Sequence, residues 1–292
     1  MILRRACVAG LAAPANCEYL VVNLLPGEEN SVATAVVRYT AAALSDRGRK
    51  RASNEDAFGY SVEHGVYLVC DGMGGAAAGE VASSLAIDEV LRLVTERREA
   101  LLQQSGEISE SIPQIAGEAV VAANQAIHSR SQRNLRLSGM GTTLVGLLTS
   151  LAEEESRAWI LNVGDSRCYR LRNHRIQQCT QDHSLVDEQV RLGRMTRAEA
   201  ARSPLRNVIT RALGTQLSVT PDLIEAEVEP GDLFLLCSDG LTRELSDQRI
   251  EEILNASAHG PSALDELCTR LIQAANKAGG HDNITCLLVK VE

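Results

Sequence analysis

Apolar and polar positions along the chain follow two different periods. Short apolar runs such as residues 65–70 and 284–291 have the length and composition of buried strands. In residues 81–94 the apolar positions recur at intervals of three and four, and residues 112–127 repeat that spacing, so both segments are predicted to be helices. Residues 141–180 contain four short strand-like runs in succession, which favours an antiparallel sheet.

The second half of the chain interrupts this strand pattern once. Residues 183–207 are polar and helical in pattern, and they are predicted to form an excursion on the surface. Strands are predicted again within 215–237, and helices at about 247–254 and 262–277. We therefore predict an α+β fold in which helices cover largely antiparallel sheets.

Residues 1–36 show no clear period and are interpreted as an N-terminal extension of unknown role, ahead of a domain that spans 37–292. The hydrophobic fraction of 45% is that of an ordinary globular protein. The net charge is −9 and no block of Lys and Arg dominates a segment, so no nucleic-acid partner is expected. No apolar run is long enough to span a membrane.

The chain has eight cysteines, and none of them forms a C-x-x-C pair. Cys70, Cys237 and Cys286 lie inside apolar runs, where a thiol packs as a small hydrophobic group. This usage favours a reducing compartment over a disulfide framework, and we expect a cytoplasmic protein.

Acidic residues recur at the ends of the predicted strands. Asp71, Asp165 and Asp239 each follow an apolar run, and Asp282 comes just before one. An Asp-Gly pair is a common turn signal, so each of these acids taken alone indicates only a turn. Four such positions weaken that interpretation, because strand ends are stiff supports for functional side chains.

Carboxylates that converge without matching basic residues repel one another, and divalent cations remove that repulsion. Oxygen ligands suit Mg²⁺ or Mn²⁺, whereas the six scattered histidines disfavour zinc. Glu55 and Asp56 add two carboxylates, and Arg51 precedes them in a basic stretch. An arginine that binds phosphate beside a metal site would indicate phosphoryl chemistry.

Several motifs then occur in an order that is more specific than any of them alone. They are R-x-x-N-E-D-A-F (51–58), V-x-D-G-M-G-G (69–75), G-T-T (141–143), N-V-G-D-S-R (162–167), S-D-G-L (238–241) and H-D-N-I-T (281–285). The set resembles the bacterial branch of the metal-dependent PPM (type 2C) serine/threonine protein phosphatases, from about Val37 to the C-terminus. The resemblance implies an αββα four-layer sandwich, in which two central antiparallel β-sheets are flanked by helical pairs, with a flap at about 184–206.

The same resemblance implies a site for two Mn²⁺ or Mg²⁺ ions, with a third bound weakly. In such a family Asp71 would bridge both metals, and Asp239 and Asp282 would hold the first. The Gly72 carbonyl would serve the second metal. The other predicted ligands are Glu55 and Asp56 at the second metal, partly through water, and Asp165, which with Asp239 would form the third site.

The implied activity is hydrolysis of phosphoserine and phosphothreonine by direct attack of a metal-bridging water, with Asp71, Asp239 and Arg51 as the catalytic residues. Arg51 would bind the substrate phosphate. The expected partners are phosphorylated proteins that a Ser/Thr kinase produces, and we expect a monomer. An alternative is a pseudophosphatase, because Met73 and Ala76 stand where relatives often carry histidines. A two-metal phosphodiesterase or nuclease is a third hypothesis, and the lack of a basic patch counts against it.

Overall fold

The computed structural model describes residues 37–74, 78–103, 111–150, 156–256 and 263–292. The predicted extension at 1–36 and the predicted role of Ala76 lie outside these residues. The strands are β1 (Tyr39–Asp46), β2 (Asp56–Ser61), β3 (Val66–Met73), β4 (Gly141–Thr142), β5 (Leu144–Thr149), β6 (Arg157–Val163), β7 (Arg167–Arg172), β8 (Arg175–Gln178), β9 (Asp222–Glu227), β10 (Leu233–Cys237) and β11 (Ile284–Val291). The helices are α1 (Ala78–Gln103), α2 (Ile112–Arg133), α3 (Leu185–Arg191), α4 (Arg197–Arg202), α5 (Asp239–Thr242), α6 (Asp247–Leu254) and α7 (Ala263–Ala278).

The strands form two sheets, and every pairing within them is antiparallel. One sheet has the order β1-β11-β10-β7-β8, and the other has the order β2-β3-β5-β6-β9, with β4 paired to β3. Strand β3 shows why the two sheets stack, because it is apolar on both faces. Val66, Leu68 and Cys70 pack against α1 and α2, whereas Tyr67 and Val69 pack between the sheets.

Helices α6 and α7 cover the outer face of the other sheet. Leu267, Leu271 and Ala275 recur along one face of α7 and pack on apolar side chains of β10 and β11. The result is four layers, helices–sheet–sheet–helices, which confirms the predicted αββα sandwich. Within the described residues, no helix has both the length and the apolar character that crossing a membrane would require.

The segment predicted as a surface excursion consists largely of two short helices, α3 and α4. Each helix begins with a side-chain cap. The Ser184 hydroxyl accepts a hydrogen bond from the backbone N–H of Asp187, and Thr196 forms a reciprocal capping box with Glu199. These local caps allow short helices to form over the sandwich edge.

One strand end differs from the prediction, and one acid that was expected in a turn lies in a helix. Asp71 was expected just after a strand, but β3 continues through Met73, because Gly72 and Met73 pair with Thr142 and Gly141 of β4. Asp239 does not simply follow β10 in a turn, because it is the first residue of α5. Both acids are therefore fixed by regular backbone.

Candidate active site

The two sheets are joined at one end by a buried carboxylate. Asp56 opens β2 and lies directly opposite Asp71 of β3. Its Oδ2 atom accepts hydrogen bonds from the hydroxyls of Ser238 (2.7 Å) and Thr285 (2.7 Å). Ser238 directly follows β10 and Thr285 lies in β11, so both belong to the other sheet. The ends of both sheets therefore meet around these acids.

Asp71 is held by the residues of the G-T-T motif. The backbone N–H of Asp71 donates to Thr143 Oγ1 (2.9 Å), and the Asp71 carbonyl accepts from the N–H of Thr143 (2.9 Å) and from Thr142 Oγ1 (2.9 Å). Thr143 Oγ1 is in turn 2.7 Å from Ser166 Oγ. The backbone of Asp71 is thus fixed from the neighbouring strand, which leaves its carboxylate free to face the other acids.

Gly72 lies where three pieces of backbone approach one another. Its N–H donates to the Glu55 carbonyl (3.1 Å), and that carbonyl also accepts a hydrogen bond from the Ser83 hydroxyl (2.6 Å). A Cβ atom at Gly72 would lie 2.5 Å from the Glu55 carbonyl oxygen and closer still to the carbonyl of Gly79 in α1. Glycine at this position therefore permits the contact between β3, α1 and the Glu55 loop.

Asp165 and Asp239 are buried, with 6% and 7% of their surface exposed. Asp165 follows Gly164, whose φ of 112° lies in the region that favours glycine. The N–H of Gly164 donates to Nδ1 of buried His183 (3.1 Å), so Nε2 carries the imidazole proton toward Asp222 (3.0 Å). His183 thereby supports the loop that presents Asp165, a role that the sequence did not reveal.

Asp282 sits at the entrance to β11 and pairs with Arg51. The Arg51 guanidinium donates from Nε to Oδ1 (2.8 Å) and from Nη2 to Oδ2 (2.8 Å) of Asp282, and its side chain is 53% exposed. Asn283 accepts a hydrogen bond from the N–H of Glu55 (2.9 Å) and donates to the carbonyl of Ser53 (2.8 Å). The H-D-N motif therefore also fixes the loop that carries Glu55.

A second arginine enters the site, and the sequence analysis did not single it out. Arg243 follows α5, one turn after Asp239, and its guanidinium forms an ion pair with the carboxylate of Asp239. The same guanidinium lies 3.4 Å from Asp282 Oδ2 and 3.8 Å from Asp165 Oδ2. The Asp-to-Arg spacing of four residues at the start of a helix was the signal that could have revealed it.

The acids change one another's ionisation. Burial raises the pKa of Asp56 and of Asp165 to about 6 in each case; for Asp56 the hydrogen bonds from Thr285 and Ser238 oppose this rise, and for Asp165 the Arg243 guanidinium opposes it. The pKa of Asp71 is raised well above its ordinary value by burial and then by Asp56, Asp239, Asp165 and Asp282. Burial and the neighbouring Asp165 likewise raise the pKa of Asp239. Such mutual repulsion marks a site built for added positive charge.

The chemistry of the donor set fits divalent cations. Asp56 Oδ1, Asp165 Oδ1 and Asp239 Oδ1 are buried oxygens that have no hydrogen-bond partner. As the side chains stand, no three Asp, Glu, His or Cys residues of the described ranges form a ligand cluster. Arg51 and Arg243 contact oxygens of Asp282 and Asp239, so these carboxylates have to turn away from the arginines to coordinate a cation.

The structure thus brings together most of the predicted site residues at one end of the sandwich. Five aspartates converge there, namely Asp56, Asp71, Asp165, Asp239 and Asp282. Glu55 lies beside them. Its pKa is raised, mainly by burial and also by Asp282, although Arg51 opposes the rise. Arg51 is at the edge of the cluster, in contact with a carboxylate.

Comparison with known proteins agrees with this architecture. The sequence profile of protein phosphatase 2C matches residues 46–288. The serine/threonine phosphatase stp of Listeria monocytogenes serotype 4b is 39% identical over 249 residues, which cover 84% of this chain and 93% of that protein. The serine/threonine protein phosphatase PstP of Mycobacterium tuberculosis is 40% identical over 260 residues, which cover 88% of this chain and 46% of that longer protein.

Solved structures are similar over the same region. The crystal structure of the M. tuberculosis serine/threonine phosphatase PstP/Ppp has a TM-score of 0.74 at 38% identity, covering 88% of this chain and 99% of that one. The catalytic domain of PstP in complex with two manganese ions has a TM-score of 0.74 at 36% identity, covering 87% of this chain and 99% of that one. The chain belongs to the protein phosphatase 2C family.

Proposed function

We propose that this protein is a metal-dependent phosphoprotein phosphatase that hydrolyses phosphoserine and phosphothreonine. One observation carries the proposal: five converging aspartates, three of them with a buried and unpartnered carboxylate oxygen, lie at one end of a phosphatase 2C sandwich. The relative whose structure contains two manganese ions shares 36% of its residues with this chain. These facts support a site for two Mn²⁺ or Mg²⁺ ions.

The predicted ligands divide among the cation sites as follows from their positions. Asp71 would be shared by the two cations, because Thr142 and Thr143 hold its backbone and its carboxylate lies among the other four aspartates. Asp239 and Asp282 would complete the first cation site. The Gly72 carbonyl, Glu55 and Asp56 would serve the second, and Asp165 together with Asp239 would serve the weaker third.

When bound, two divalent cations would supply an activated water nucleophile and neutralise charge on the phosphoryl group. The protein residues supply position. Thr142 of β4 and the adjoining Thr143 hold Asp71, and the hydroxyls of Ser238 and Thr285 favour the ionised form of Asp56. Arg51, which is half-exposed at the edge of the cluster, binds the substrate phosphate by turning its guanidinium from Asp282 toward solvent.

We also propose phosphorylated proteins as substrates, produced by a Ser/Thr kinase, and a monomeric protein in the cytoplasm. Six cysteines of the described ranges are free thiols, which suits a reducing compartment. Light scattering after gel filtration tests the monomer, and an apparent mass of twice 31.4 kDa would contradict it.

The proposed activity is tested with p-nitrophenyl phosphate and a phosphothreonine peptide. Turnover is measured with Mn²⁺, with Mg²⁺ and with a chelator, in the wild type and in Asp239→Asn. We expect metal-dependent turnover in the wild type and little in the variant. A wild type that binds the peptide without turning it over would instead establish the pseudophosphatase, whereas turnover that survives both the chelator and the substitution would refute the metal mechanism.

A further inference from the structure

Arg243 is the feature of the acid centre that the proposed mechanism does not use. Its guanidinium contacts Asp239, Asp282 and Asp165, three of the carboxylates to which the mechanism assigns cations. The side chain is one-third exposed, so one side of it faces solvent while the other faces the acids. A permanently charged group is therefore already present where divalent cations are expected to bind.

The position of Arg243 follows from the local fold. The Arg243 N–H donates to the Asp239 carbonyl (2.8 Å), which closes the turn of α5 and sets the two side chains on the same helix face. Asp239 is buried just after β10, and the guanidinium of Arg243 approaches it from a more open side. That open side is a cavity of about 450 Å³, lined by Arg243, Asp165 and Asp239 together with residues of α3 and α4.

The contacts of Arg243 use oxygens that a cation would also need. Its ion pairs involve Oδ2 of Asp239 and Oδ2 of Asp282, while Oδ1 of Asp239 remains without a partner. The adjoining cavity gives the guanidinium room to withdraw when those carboxylates turn toward a cation. The cavity therefore leaves space for a second arrangement, in which the arginine has moved away from the carboxylates.

We propose that Arg243 is an internal counter-cation that stabilises the metal-free acid centre and competes with divalent cations for Asp239 and Asp282. The inference rests on the proposed metal site and concerns how tightly that site binds. In the metal-free protein the guanidinium offsets repulsion among the buried acids. In the loaded protein it repels the incoming cation, so it weakens binding at the same carboxylates.

The test compares Arg243→Gln with Arg249→Gln. Both variants remove one positive charge, but Arg249 lies on α6 and pairs with Glu252 on the same helix. Mn²⁺ affinity is measured by titration calorimetry on chelator-treated protein that has been freed of the chelator. We expect Arg243→Gln to bind Mn²⁺ about tenfold more tightly than the wild type. Even in bulk water, the repulsion between a monovalent and a divalent charge a few ångström apart corresponds to about a tenfold change in affinity. Arg249→Gln should match the wild type.

The melting temperature in the presence of a chelator is the second readout. We expect it to fall in Arg243→Gln and to stay unchanged in Arg249→Gln, so that metal-free stability and metal affinity move in opposite directions. Arg243→Lys keeps the charge and should restore most of both values. A purely structural role would lower the melting temperature without tightening Mn²⁺ binding, and that result, or equal affinity in all variants, would overturn the proposal.

A measurement on the wild type covers the case in which Arg243→Gln fails to fold. In protein labelled with ¹⁵N at arginine, the Arg243 Nη–H groups, which form the ion pairs, should exchange slowly with water in chelator and faster after Mg²⁺ is added. An exchange rate that Mg²⁺ does not change would overturn the competition. If neither wild type nor any variant binds Mn²⁺, the proposed phosphatase function fails together with this inference, whereas uniform binding refutes the role of Arg243 alone.

Discussion

Gly72→Ala adds a single methyl group where the surrounding backbone leaves no room for it. The added methyl would lie 2.5 Å from the carbonyl oxygen of Glu55 and closer to the carbonyl of Gly79. Neither obstacle is the far end of a flexible side chain. Both are backbone, one in the loop before β2 and the other in the first turn of α1, so β3 or one of these segments has to move.

The expected cost follows from that geometry. Overpacking a close-packed region costs about 1–3 kcal/mol, and we expect the upper part of this range because backbone has to shift. Gly117 provides the matched control, because it lies within α2 and an added Cβ there meets no atom within 4 Å. Gly117→Ala should stabilise the protein by about 0.5–1 kcal/mol through helix propensity.

Urea unfolding of the two variants in the presence of a chelator measures these effects. We expect the midpoint to fall in Gly72→Ala and to rise in Gly117→Ala, with unchanged slopes. Gly72→Ala should also weaken Mn²⁺ binding, because Glu55 is displaced together with its loop. A Gly72→Ala protein as stable as the wild type would refute the argument that this glycine is required for backbone approach.

Two further predictions concern the charged groups. Arg51→Ala should raise the KM for a phosphothreonine peptide at least about tenfold with a smaller change in kcat, because a bidentate phosphate contact is lost; an unchanged KM would count against that role. Burial raises the pKa of Asp165 to about 6, above its ordinary 3.8. The metal-free fold therefore loses stability at this residue as the pH rises from about 4 to about 6, by on the order of 3 kcal/mol. Asp165→Asn should accordingly stabilise the chelated protein clearly more at pH 7 than at pH 4.5, and equal effects at both values would contradict the assignment.

Much of the fold could be predicted from the sequence because its strands are short, apolar and separated by clear turns. The run at 284–291 corresponds to β11 without error. The end of β3 was wrong because its last pairs depend on β4, a partner 70 residues away, and no local pattern reports such a pairing. The periodicity of apolar residues does not predict where a strand ends when that end is set by pairing with a distant segment.

The sequence predicted which residue types form the candidate site, but only part of how those residues contact one another. The acids were found because each lies beside an apolar run, and their order carried the family resemblance. Arg243 was missed because its significance depends on the turn of α5 that places it over Asp239. His183 and Asn283 were missed as supports because they act through backbone groups of distant segments, the N–H of Gly164 and of Glu55.

The number of Mn²⁺ ions bound per chain tests whether the aspartates form one site shared by two cations. Asp71 is the one carboxylate assigned to both cations, so equilibrium dialysis of wild type and Asp71→Asn separates a shared site from independent ones. We expect two tightly bound ions in the wild type and loss of both in Asp71→Asn, with the fold retained by circular dichroism. An Asp71→Asn protein that still binds two Mn²⁺ ions with wild-type affinity would contradict it.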